Sequence, residues 1–477
     1  MNLNKRPLHS RMIRLSFLVV MVAAFSLISG AQLNASSNRG CTTTGTPTGF
    51  TLQGVLNPVQ PNGAALITTL TLGNAMRVRP LDLDGNGTVD TLVAFVTSGN
   101  QSGTANPGTY VFFLDPATGL PQANNPVTTL PWQNPLLVLS GVQSRHVAAG
   151  DVNGDRIPDF VLGSPEGGVA YLFVGAVSGS PSYTPSYTAY KISPPAGAPS
   201  TWARTVALGD LDGDGGDEIA VAAVPGSKQK VVPAVYTYTY TGSGVTPWGP
   251  GKIQDPTGSF TSDFGGGLNG GAVAIGNITG SGGNDLAVGA DGGGTNGLVY
   301  VFPYPASQSN SFTLTGPGSG FGGGVGIADV NLDGFPDLVV NSGGSSGESV
   351  VFAGVVRPAA VYTNQLLPAN GVGMGQEWAW PGFDVGNLQT VGAVAIGTLS
   401  ASQTNACTVG AVQLFTSPYG SSQQPNYVFE PPSLVGSSQY GYNIGLVPGF
   451  PFILISAHYD NVGTTSGAGQ VFVYKKN

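Results

Sequence analysis

The chain is poor in cysteine, charge and histidine, and each shortage removes a class of function. Two cysteines in 477 residues, Cys41 and Cys407, cannot staple a fold of this size with a disulfide framework. They either pair in an oxidising compartment, tying an N-terminal arm to a late segment, or stand as two thiols. Only 9% of residues are charged, and no basic stripe is present to neutralise phosphates, which excludes nucleic acid as a partner. Of three histidines one, His9, lies in the N-terminal leader. A zinc site or a Ser–His nucleophile pair would therefore have to use His146 or His458. The first reads as a packing residue on a strand, the second as a loop residue in Ala457-His-Tyr-Asp460.

No phosphate loop ending in Gly-Lys-Ser/Thr occurs. Gly343-Gly-Ser345-Ser-Gly347 has the spacing of a nucleophile elbow, but it sits in a Gly/Ser-rich turn with no helix after it, so the match is by chance. Apolar i, i+3, i+4 spacing is missing beyond the leader, and no later apolar run reaches membrane-spanning length. With 74 glycines and 36 prolines, the composition leaves many short strands joined by turns.

Residues 1–31 read as a signal peptide. Lys5, Arg6, Arg11 and Arg14 precede an apolar run from Leu15 to Ile28, and Ser29-Gly30-Ala31 fits a small-residue cleavage site. The expected destination is outside the cytoplasm: secreted, periplasmic or on the cell surface.

What the chain does have is a nine-residue acidic loop, four times over. It reads Asp82-Leu-Asp84-Gly-Asn86-Gly-Thr88-Val-Asp90, then Asp151-Val-Asn153-Gly-Asp155-Arg-Ile157-Pro-Asp159. It returns as Asp210-Leu-Asp212-Gly-Asp214-Gly-Gly216-Asp-Glu218 and as Asp329-Val-Asn331-Leu-Asp333-Gly-Phe335-Pro-Asp337. Of 20 aspartates 13 fall inside these loops, so the acidity is concentrated rather than spread. Oxygens at positions 1, 3, 5 and 9 of one tight loop converge, and a hard cation taking six or more oxygens removes their repulsion. Outside the cell that cation is Ca²⁺. An EF-hand is excluded, because position 12 is Val93, Leu162, Val221 or Val340 instead of glutamate. Each loop runs into an apolar, β-branched stretch, which predicts a strand–loop–strand hairpin.

Longer units surround the loops. One runs Phe264-Gly-Gly-Gly, Val273-Ala-Ile-Gly-Asn277, Asp285-Leu-Ala-Val-Gly-Ala290 and Val299-Tyr-Val-Phe302; another runs Phe321-Gly-Gly-Gly to Asp329. This unit resembles the FG-GAP repeat, also seen in VCBS-type proteins and in the propeller of integrin alpha subunits. The resemblance implies an all-β, seven-bladed β-propeller of four-stranded blades with about four Ca²⁺ sites in hairpin loops. It implies metal ligands from the side chains of the four loops, with backbone carbonyls at Thr88, Ile157, Gly216 and Phe335. The fourth unit, Asn277-Ile-Thr279-Gly-Ser281 with Asp285, keeps one carboxylate and is expected to bind cation weakly or not at all. The sixth, placed at Thr398-Leu-Ser400-Ala-Ser402, has none. Arg156 stands where glycine is usual, which marks the second loop as the least secure.

The domains expected are a signal peptide at 1–31, an arm at 32–64 and one propeller at 65–477. The last unit ends without a fourth strand, and Ala65-Leu-Ile-Thr-Thr-Leu-Thr-Leu72 is expected to supply it and close the ring. For ligand contact the candidates are Glu377, Trp378, Trp380 and Asp384, an aromatic and acidic cluster that either stacks on sugar rings or anchors a protein. A tryptophan wedge between blades is the structural alternative. The functional expectation is a non-enzymatic module binding an extracellular glycan or protein. A polysaccharide lyase or hydrolase, and a structural assembly protein, are the alternatives.

Overall fold

A computed structural model describes residues 45–56, 70–100, 107–129, 133–179, 183–267, 271–291, 297–317, 320–342, 348–367, 382–398, 410–432, 439–458 and 469–477. The leader, both cysteines, the Gly343–Gly347 turn and Glu377, Trp378 and Trp380 lie outside them. Residues Thr43–Asn477 form one compact unit.

Every regular element described is a strand, and the strands form seven sheets, antiparallel except where Asn364–Leu366 pairs in parallel with Ser422–Gln423 at the edge of blade five. The first blade pairs Leu70–Leu81, Thr91–Asn100, Gly108–Leu114 and Leu136–Ser140, in that order from the axis outward. Blades two to six follow the same path, starting at His146–Gly150, Thr201–Gly209, Val273–Gly276, Phe321–Ala328 and Phe383–Leu388. Blade seven starts at Tyr440–Leu446. Each of these first strands touches the first strands on either side, and the seventh touches the first, so they line a closed axis.

The second strand of each blade explains why the sheets pack on both faces. Glu218–Val224, Asp285–Ala290 and Asp337–Ser342 are buried at every position, which is why they read as continuous apolar runs rather than alternating ones. The cores lie between blades: Phe95 of blade one stacks on Phe160 of blade two at 4.1 Å, and Phe160 on Phe173 at 4.6 Å. Trp202, almost fully buried, meets Tyr236 and Tyr238 edge-on in blade three.

The Phe-Gly pairs have a physical reason. Gly322 has φ +90°, and a Cβ there would lie 2.4 Å from the Leu298 carbonyl oxygen of the preceding blade. Glycine is therefore required twice over, by backbone conformation and by close approach.

The ring closes, but with a different strand from the one expected. Phe50–Leu56 pairs antiparallel with Gln470–Lys476, from Phe50 opposite Lys476 to Leu56 opposite Val471, and completes blade seven. Leu70–Leu72 instead begins the innermost strand of blade one, opposite Ser98–Asn100. The β-rich look of residues 65–72 misled because Phe50–Leu56 is weakly patterned and broken by a bulge between Leu52 and Gly54. The propeller's paired strands thus begin at Phe50 rather than at residue 65. Blade six also needs correction. Val391–Thr398 is its second strand, joined to Phe383–Leu388 by a tight turn at Gln389, so no acidic-loop position falls at Thr398.

Candidate metal centres and the opposite face

All four acidic loops join the first strand of a blade to its second, so they share one face of the propeller. Their backbones are alike. Positions 4 and 6 have positive φ in each: Gly85 and Gly87, Gly154 and Arg156, Gly213 and Gly215, Leu332 and Gly334. The position-9 carboxylate accepts the N–H of position 2 every time, from Leu83 (2.9 Å), Val152 (2.7 Å), Leu211 (2.8 Å) and Val330 (2.9 Å). Position 1 caps the turn: Asp82 accepts N–H groups from Gly85, Asn86 and Gly87.

The donor sets separate the loops into two kinds. In the first and third, carboxylate oxygens of Asp82, Asp84 and Asp90, and of Asp210, Asp212 and Glu218, lie within 4.8 Å of one another. Three carboxylates at that spacing repel one another, a cation placed among them would relieve the repulsion, and all-oxygen donors suit a hard divalent ion. In the second and fourth loops position 3 is an amide. Asn153 donates its Nδ2 to Asp155 (3.0 Å), and Asn331 donates to Asp333 (2.9 Å). There the amide N–H already offers the position-5 carboxylate a positive partner, and position 3 brings one carboxylate fewer to a cation.

Electrostatics mark the buried ligands. Burial pushes Asp159 up to about 7, against the N–H groups of Gly175 and Val152. It likewise pushes Glu218 up to about 7, helped by the neighbouring Asp212, Asp214 and Asp210. Asp90 and Asp337 are raised for the same reason.

The blade-four loop surrounds its single carboxylate with protein donors. Asp285, fully buried, accepts from the Ile278, Thr279 and Tyr304 N–H groups and from the Thr279 and Ser281 hydroxyls. Hydroxyls at positions 3 and 5 thus occupy the lone pairs that a cation would need.

Sequence reading missed three residues that support the loops. Trp248 donates its indole N–H to Asp212 (2.9 Å), from a connection 36 residues away. Asp217, at position 8 of the third loop, accepts the Asp151 N–H (2.7 Å) and returns its own N–H to the Asp151 carbonyl (2.7 Å). Asn284 of blade four holds the Asp210 carbonyl in the same way (2.7 Å). Position 8 therefore clamps each of these loops to the loop before it, and its polarity was the available signal.

Arg156 and Leu332 occupy left-handed backbone at φ +66° and +63°, where the sister loops carry glycine. A non-glycine residue there costs about 1–2 kcal/mol, partly offset by glycine's greater freedom when unfolded. Arg156→Gly is expected to stabilise the calcium-free protein by about 0.5–1 kcal/mol. Urea denaturation in chelator checks this, and a lower midpoint would contradict it.

The opposite face carries the connections between blades. A cleft of about 670 Å³ opens there between Val224–Lys230 of blade three and Phe260–Asp263, which leads into blade four. Phe260 is 46% exposed, one of two phenylalanines that exposed among the described residues, and Lys228 and Lys230 line the same cleft. Asp263 shares a hydrogen bond with Asp291, which burial and the Asp263 charge raise to about 7, with Arg204 acting against the shift. Arg145 pairs with Glu166 nearby in blade two.

Of the expected ligand cluster only Asp384 is described. It sits on the innermost strand of blade six and accepts the Leu446 N–H of blade seven (2.8 Å), facing the axis. His146 is buried and accepts the Val206 N–H (3.3 Å). His458 is buried and stacked on Tyr442 at 4.3 Å; burial, then the Arg145 charge, pushes it down to about 3. Among the described residues no helix is long and apolar enough to cross a membrane.

Residues 151–221, the second acidic loop through the third, match the FG-GAP-like repeat family. A stretch of 154 residues is 30% identical to integrin alpha-4 of Xenopus laevis, covering 30% of this chain and 14% of that protein's length. Similar solved structures include the Dos1 propeller, at TM-score 0.41 and 10% identity over 89% of this chain and 95% of that one. Another is a chain of a humanized Chaetomium thermophilum Polycomb Repressive Complex 2, at TM-score 0.48 and 7% identity over 90% and 97%.

Proposed function

From a seven-bladed propeller that carries an FG-GAP-like repeat, we infer an exported calcium-binding module that holds an extracellular glycan or protein. Calcium occupies the four acidic loops and serves the fold, most tightly in the first and third. The ligand binds on the other face. The observation that carries this reading is the cleft beside Phe260, whose volume suits a sugar ring or a peptide segment. An exposed aromatic supplies a stacking platform, Lys228 and Lys230 supply donors, and Asp263 supplies an acceptor. The likeness to an integrin alpha subunit supports an adhesive role over a catalytic one.

Binding of the purified protein to a panel of glycans and matrix proteins tests this. Saturable binding is expected, weakened at least tenfold by Phe260→Ala, a loss of about 1.4 kcal/mol. Binding that ignores Phe260→Ala and Asp263→Asn would remove the cleft from the account. One observation favours a second reading. The hydrogen-bonded Asp263 and Asp291 carboxyls beside the cleft are a pair suited to proton transfer, so cleavage of a polysaccharide abolished by Asp291→Asn would make the module an enzyme.

A further inference from the structure

A cavity of about 190 Å³ opens along the axis of the propeller, and two arginines of blade one line it. Arg77 and Arg79 lie two residues apart on one strand, so their side chains leave it on the same face. At the positions matching Arg79, blades two to five carry Ala148, Ala207, Ala274 and Gly326. Blade one alone sends long cations inward, and small residues opposite leave them room.

Neither guanidinium is paired. Among the described residues the one ion pair within 4.0 Å is Arg145 with Glu166, elsewhere. Arg77 donates to the Met76 carbonyl (2.8 Å) and Arg79 to the Val78 carbonyl (3.0 Å), each a single bond to the preceding residue from a group with five N–H donors. Desolvation acts most strongly against the Arg79 charge, while Asp384 and Asp217 favour it only from beyond ion-pair distance. Arg77 itself also disfavours that charge. Two like charges held close together in a half-buried cavity, short of acceptors, are costly unless something supplies them.

We propose that the axial cavity binds a small oxyanion of the sulfate or phosphate type, held between Arg77 and Arg79. The guanidinium fork matches such an anion, because parallel N–H donors meet two of its oxygens at once. A tetrahedral oxyanion fits within the cavity volume, and His146 lies on its wall. The anion arrives either free or as a sulfate group on a larger ligand.

The test is calorimetric titration of the full chain in calcium with sodium sulfate, against sodium chloride at equal ionic strength. Saturable sulfate binding is expected, at least tenfold weaker in Arg77→Met and in Arg79→Met. In anion-free buffer Arg79→Met is expected to melt no lower than the parent, since it removes an unpaired charge. A sulfated monosaccharide as a second probe separates the sources: competition with sulfate places a sulfated ligand in the axis, and its absence leaves the free ion. Equal heats for sulfate and chloride, or sulfate binding unchanged in both variants, would overturn the proposal. Should either variant fail to fold, the parent protein's own sulfate-against-chloride comparison still decides.

Discussion

A chain shortened to begin at residue 57 is expected to lose cooperative unfolding, while one beginning at residue 45 keeps it. The difference is Phe50–Leu56, which gives blade seven its fourth strand. Phe50 packs edge-on against Tyr427 and Phe429 of blade six at 5.0 and 4.9 Å, so the strand also binds one blade to the next. Phe50 and Leu56 are buried, and losing two such side chains costs about 3–6 kcal/mol. The chain's own end depends on it too, since the Asn477 N–H bonds to the Gly49 carbonyl (2.9 Å). Without the strand, Gln470–Lys476 becomes an open edge, a site for pairing between molecules. Denaturation of the two truncated chains, followed by light scattering, checks this. A chain starting at residue 57 that unfolds like the longer one would refute closure by this strand.

The second large effect is expected from removing calcium, and it depends on pH. With a dissociation constant of about 10⁻⁴ M in about 1 mM calcium, each of the two tighter sites contributes about 1.4 kcal/mol, roughly 3 kcal/mol together, and the two amide-bearing loops add less. In chelator, Asp159 and Glu218 titrate near 7, above their unfolded values. Between about pH 4 and pH 7 the folded state then holds protons that the unfolded chain has released. Calcium-free stability therefore falls as pH rises through that window. Calcium takes the place of those protons, so the chelator penalty is expected to be small at pH 5 and full at pH 8. Melting in calcium and in chelator at both pH values measures it. A penalty that is equal at both, or larger at pH 5, would contradict this.

The loops were legible in the sequence because their chemistry is local: nine consecutive residues contain both the turn and its oxygens. The blades were legible where a buried second strand reads as a continuous apolar run, as in Asp285–Ala290. Long-range pairing was not. Nothing local in Phe50–Leu56 announces a partner more than 400 residues away, and a nearby segment with better β-propensity drew the assignment. The axial arginines were invisible for a similar reason. Alternate residues on a strand show that Arg77 and Arg79 share a face, but only ring closure turns that face into a cavity. The split between the loops rests on a single atom type, an amide nitrogen at Asn153 and Asn331 where Asp84 and Asp212 have oxygen. That letter was present in the sequence; its consequence needed the geometry.

Calorimetric titration of calcium into the purified, chelator-stripped protein tests the central claim most directly, with Asp82→Asn/Asp210→Asn as the comparison. Two tighter sites that vanish in the double variant are expected, with weaker binding at the Asn153 and Asn331 loops and no change on Asp285→Asn at the hydroxyl-filled loop. A protein that takes up no calcium, or whose tight sites survive the double substitution, would contradict it.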